Sequence, residues 1–148
     1  MFRDSKFPLG RRISIGNPVT KQQAVFPPLP VLFAVDSHSV LAYVPSTKEY
    51  KVVFSHKGDG NSSCCLVLTV HGDKLWRQIN LNHIPEETLF ILRFPPFSIG
   101  AFIYWANTWS RYIFALDLET EIIHQVRLPR GYRIHRGRFT KMGSFLTF

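Results

Sequence analysis

Six histidines, His38, His56, His71, His83, His124 and His135, could ligate a metal or relay a proton, but their spacing does not bring them together. None stands at the H-x-x-x-H or H-x-x-E-H interval that sets two imidazoles on one helix face, and Cys64-Cys65 followed by His71 matches no zinc framework. Ser62-Ser63-Cys64 offers a hydroxyl and a thiol, yet lacks the G-x-S-x-G turn that lifts a nucleophile clear of its strand. "GDG" at 58–60 has the small residues of a phosphate loop without the Lys-Thr that follows one or the helix that bears it, so a hairpin loop is the better reading. These residues predict no catalyst, no metal centre and no cofactor.

Recognition is the chemistry that remains. Trp109, between Thr108 and Ser110 and two residues before Arg111, pairs the two residue types that most often dominate binding energy. The loops "SHKGDGNSS" (55–63) and "ANTWSR" (106–111) supply His56, Lys57, Asp59, Asn107, Trp109 and Arg111 as candidate contacts with a partner. The competing reading folds Trp109 back over its own strands. A second candidate surface comes from charge: 18 Lys and Arg against 10 Asp and Glu give +8, and "RLPRGYRIHRGRFTK" gathers five arginines and one lysine around Tyr132 and Phe139. Arg130, Tyr132 and Arg136 are its candidate contacts. Cations neutralise phosphates and aromatic rings stack on bases, so a basic nucleic-acid-binding β domain is the alternative function. No RNA or DNA motif accompanies the charge, and an acidic or phosphorylated protein target explains it as well.

These loops need elements to carry them. "SVLAYV" (39–44), "EYKVVF" (49–54), "CLVLTV" (65–70), "LWRQINL" (75–81), "AFIYWA" (101–106), "YIFALDL" (112–118) and "IIHQVRL" (122–128) are short, β-branched or aromatic, and bounded by turn formers. No window sustains a helical stripe; "PEETLFIL" holds one turn at most. Trp76, Tyr104 and Trp105 fall in strands and are expected between packed sheets. The neighbouring Cys64 and Cys65 are expected as buried thiols on opposite faces. A 148-residue chain that is 45% hydrophobic can bury one core, and its longest apolar stretch is broken by Pro, Gly and Asn before it could span a membrane. An N-terminus without an apolar signal region predicts an intracellular protein.

The strands repeat. "YKVVF…INL" and "FIYWA…RLP" share a plan of strand, polar loop, strand, tight turn, strand, and corresponding turns recur roughly 45 to 55 residues apart, the length of a four-stranded propeller blade. Asn17-Pro18-Val19-Thr20 is then expected between the second and third strands of one blade, and Pro45-Ser46-Thr47 between that blade's last strand and the next blade. The loops 55–63 and 106–111 join first to second strands. The expected fold is all-β, an incomplete propeller of about three antiparallel four-stranded blades, with residues 1–14 as an extension or flank and 15–148 as the propeller.

"NPVTKQQAVFPPLP", "LAYVPSTKEYKVV", "LVLTVHGDKLWRQI", "IGAFIYWA" and "IFALDLETEIIHQVRLP" resemble, in order and spacing, successive segments of the kelch-like F-box-associated β-propeller domain of plant F-box proteins. Val44 departs from that pattern where an Asp is usual, and Phe102-Ile103 replaces the usual approach to the Tyr-Trp pair. The resemblance implies a target-recognition module of the kind found in SCF-type ubiquitin ligases. Its partner is an unidentified target protein, with a Skp-type adaptor and cullin joining only through an F-box in a longer form. It also implies a truncated member, whose open blade edges could self-associate.

Overall fold

The computed structural model describes residues 13–29, 37–58, 63–107 and 110–129 in full, and the backbone of 140–142 and 145–147. Twelve strands lie among these residues. A hairpin of β1 (Ser14–Gly16) and β2 (Gln23–Val25) precedes a four-stranded sheet of β3 (Ser37–Val44), β4 (Glu49–His56), β5 (Cys64–Thr69) and β6 (Arg77–Gln78). A second sheet follows, from β7 (Phe97–Ile99), β8 (Phe102–Trp105), β9 (Tyr112–Asp117) and β10 (Ile122–Arg127), and then a hairpin of β11 (Thr140–Met142) and β12 (Phe145–Thr147). Both four-stranded sheets are antiparallel meanders in chain order. The described residues thus form two four-stranded, blade-like sheets and two two-stranded hairpins.

Alternation decides which face each strand presents. Val53, Cys65 and Val67 of the first blade meet Ile103, Trp105, Phe114, Leu116 and Ile123 of the second in one continuous core. The opposite face of the first blade, with Val52, Phe54, Cys64, Leu66 and Leu68, is covered by Phe26 and Leu29 beyond the β1–β2 hairpin. Every residue of β5 is buried because it is covered from both sides. Cys64 and Cys65 accordingly sit in different cores.

Three turns have one shape. Asn17 Oδ1 accepts the amides of Val19 (2.9 Å) and Thr20 (3.3 Å), and Asp117 Oδ1 accepts those of Glu119 (2.8 Å) and Thr120 (3.5 Å). Each four-residue connection ends in a left-handed residue: Lys21 (φ 56°), Lys48 (φ 55°) and Glu121 (φ 57°). The look-alike stretches at 17–21 and 44–48 are thus the same kind of corner. The Pro45 turn joins β3 to β4 inside one blade, and does not connect one blade to the next. The first strand of that blade is therefore β3, and the loops at 57–63 and 106–111 join second to third strands.

Two elements depart from the sequence reading. Of "LWRQINL" only Arg77 and Gln78 form a strand. Trp76 leaves the ladder to donate its Nε1–H to the Pro27 carbonyl (2.9 Å), and Asn80 Oδ1 captures the Asn82 amide (2.8 Å). "PEETLFIL" is longer than one turn: a 3-10 helix runs Glu86–Arg93, burying Leu89, Ile91 and Leu92. Trp105 is fully buried between the blades as expected, whereas Trp76 packs edge-on to Phe26 (ring centroids 6.4 Å) beneath the hairpin. Tyr104 is not inter-blade core. It is half-buried on the outer face of the second blade, stacked on Phe97 at 5.7 Å.

Candidate partner-docking surface

Antiparallel meanders send alternate connections to opposite ends. The tight turns at 45–48, 71–74, 100–101 and 118–121 gather at one end, and the loops at 57–63 and 106–111 leave from the other. Trp105 at the end of β8 donates its Nε1–H to Ser55 Oγ near the end of β4 (3.1 Å), so the roots of both loops lie side by side.

At the tight-turn end an ionic cluster clamps the blades together. Lys51 Nζ, 7% exposed, donates to the Leu118 carbonyl (2.7 Å) and to Glu121 Oε1 (3.0 Å), and Arg77 bridges Glu121 to Asp73. Burial alone would raise the Glu121 carboxyl, but hydrogen bonds and charge from Arg77 and Lys51 prevail and hold it below the usual range. This cluster ties turn to turn and leaves the opposite end as the surface free to vary.

The sequence candidates divide there. His56 is buried, its Nδ1 3.3 Å from Ser37 Oγ, and Asn107 is buried with its carbonyl accepting the Ser110 amide (3.3 Å). Lys57 is half-buried, with Nζ donating to the Gly58 carbonyl (3.0 Å), and Arg111 is exposed while its carbonyl anchors Leu128 (2.8 Å). Lys57 and Arg111 are thus the described candidates that reach the surface, whereas His56 and Asn107 face inward. Asp59, Trp109, Arg130, Tyr132 and Arg136 lie outside the described residues.

The sequence reading missed a groove. About 580 Å³ in volume, it is lined by Ser63 at the start of β5, Gln78, Asn80 and Asn82 after β6, and Glu86 and Leu89 of the 3-10 helix. Its signal in the sequence is "QINLNH", where amide side chains at 78, 80 and 82 alternate with apolar residues. That alternation reads equally well as a strand, which concealed the groove.

The row Ser37, His56, Cys64 aligns a hydroxyl, an imidazole and a thiol across three strands. Burial pushes the Cys64 thiol up to about 11, so it stays protonated near neutrality and is a poor nucleophile. Among the described residues no three His, Cys, Asp or Glu side chains group as metal ligands, and no helix is long and apolar enough to cross a membrane.

Residues 4–142 match the family model described as the F-box associated beta propeller domain. No curated protein and no solved structure matches the chain.

Proposed function

The chain belongs to the F-box associated beta propeller domain family, and we propose that it works as a target-recognition module that captures a protein at its loop end. The observation that carries this reading is the side-by-side emergence of the equivalent loops at 57–63 and 106–111. Loops held by a rigid scaffold are where binding residues concentrate. Lys57, Trp109 and Arg111 are the contacts of choice, and the Asn-lined groove beside Ser63 gives an extended segment hydrogen-bonding partners. In a longer form carrying an F-box, the Skp-type adaptor and cullin would engage that F-box and the propeller would hold the target for ubiquitin transfer.

Affinity capture followed by quantitative mass spectrometry tests this. A target retained by the full chain should bind more weakly to Trp109→Ala and to Arg111→Glu, by on the order of 2 kcal/mol each, while stability changes by less than about 1 kcal/mol. Equal recovery with all three proteins would remove the loop end as the docking surface. The charge of +8 supports nucleic-acid binding as the second reading. Retention of generic oligonucleotides that falls steeply between low and moderate salt would favour it, and no retention at low salt would eliminate it.

A further inference from the structure

The ladder between β5 and β6 stops short. Ile79 donates its amide to the Cys65 carbonyl (2.9 Å), and one residue later Asn80 Oδ1 takes the amide of Asn82 (2.8 Å) and bends the chain away. The register of Leu66 with Gln78, carried further, sets Ser63 opposite Leu81, but the pairing has ended by then. Both residues instead line the groove of about 580 Å³. That is the size of a ligand site rather than of a packing flaw.

The lining is chemically selective. Gln78, Asn80 and Asn82 stand exposed at two-residue steps, while Ile79 is buried and Leu81 packs against the core. An extended peptide repeats its backbone groups at the same two-residue step, about 6.6 Å, and an amide side chain both donates and accepts, as a peptide bond does. Among the described residues Ser63 Oγ is a buried hydroxyl without a hydrogen-bond partner. Leaving it so is costly, and a polar group brought by a ligand relieves that cost. Glu86 is the one charged residue among those described in the lining, and it takes part in none of the ion pairs among the described residues. The chain carries +8 overall, but charges more than about 8 Å away are screened at physiological salt, so this carboxylate sets the local sign.

We propose that this groove binds an extended peptide segment carrying a Lys or Arg, its backbone held by the amide side chains and Ser63 and its cation by Glu86. The inference rests on the reading that the loop end captures a protein: Ser63 is the last residue of the loop at 57–63, so the groove opens from that end. It adds the chemistry of the captured segment. A neutral or acidic segment gains the backbone contacts alone, whereas a basic one also pairs with Glu86, so charge supplies the selectivity.

Random heptapeptides displayed on phage and selected on the purified full chain supply the probe, and the enriched sequences are then titrated as fluorescein-labelled peptides by anisotropy. Lys and Arg should be enriched. Glu86→Lys, at an exposed position, should weaken those peptides by about tenfold and Glu86→Gln by about threefold, both with an unchanged far-ultraviolet spectrum. A fresh selection on Glu86→Lys should turn to Asp and Glu. Asn82→Ala should weaken the peptides several-fold without changing the preferred charge, because it removes a contact to their backbone. No enriched peptide, or enriched peptides that bind Glu86→Lys as tightly as the parent, would overturn the proposal. Arg111→Glu separates its failure from that of the loop-end reading: peptides weakened by Arg111→Glu and not by Glu86→Lys dock on the loops, so the groove assignment falls while the loop end stands.

Discussion

Adjacent thiols on β5 end in separate cores, Cys65 fully buried between the blades and Cys64 beneath the hairpin side. Burial raises both above the ordinary thiol range, so the reactive thiolate is scarce at pH 8. Alkylation by iodoacetamide at that pH should be negligible in the native chain and complete in denaturant; rapid native labelling would show that β5 opens readily. Glu121 is the other residue whose environment makes a measurable claim. Its folded pKa is depressed, so its contribution to stability is present above its ordinary value of 4.5 and is lost as pH falls through the folded value. Glu121→Gln should therefore destabilise the chain at neutral pH and flatten the acid limb of its stability profile. Because it leaves the Lys51 ammonium buried beside one carbonyl, the cost at pH 7 should be about 3 kcal/mol, against less than about 1 kcal/mol for Lys51→Met, which keeps the Arg77 pair. Equal melting losses for the two variants would show that the cluster contributes only packing. This cluster was hidden in the sequence, since Lys51, Arg77 and Glu121 stand far apart in the chain and meet only once the blades pack.

At the level of elements, turn chemistry was the most readable feature and also the most misleading one. "NPVTK" and "VPSTK" revealed the repeat because one turn geometry needs the same residue types wherever it occurs. The same identity could not say which strands each turn joins, since a turn's sequence encodes its backbone angles and not its place in the sheet. Strands β5 and β9 were legible because burial on both faces demands uninterrupted apolar runs. By contrast, β6 was cut short by a tertiary contact, the bond from Trp76 to Pro27, that no local pattern announces. Exposure of the loop-end candidates was legible only where chain position set it: Arg111 reached the surface, while His56 at the end of β4 turned inward by strand parity. The left-handed corner gives a direct check. Lys48→Val places a β-branched side chain at φ 55° and should cost about 1–2 kcal/mol, while Lys48→Gly should be neutral or stabilising. If both variants melt at the parent temperature, that corner does not require the left-handed geometry.

The whole molecule is held by a core that neither blade owns. Val44, Val53, Cys65 and Val67 from the first blade interlock with Ile103, Trp105, Phe114 and Leu118 from the second, and Ile84, Leu89, Ile91 and Leu92 of the connector fill the space between them. The connector is pinned at both ends: His38 Nε2 donates to the Arg93 carbonyl (2.7 Å) and His83 Nε2 to the Ile123 carbonyl (2.7 Å). Repeat proteins in general gain stability from such neighbour interfaces more than from each repeat alone. With two whole blades sharing one seam, neither can lose its partner and keep its apolar face covered. The blades should therefore unfold together. Central amides of β5 and β9 are expected to exchange with solvent deuterium at closely similar rates, through one global opening. Trp105→Phe, which deletes the bond to Ser55 and leaves a void at the seam, should lower stability by about 2 kcal/mol and accelerate exchange in both strands alike. Faster exchange confined to β9 would mean that the blades are separate folding units and that the seam is an ordinary contact between them.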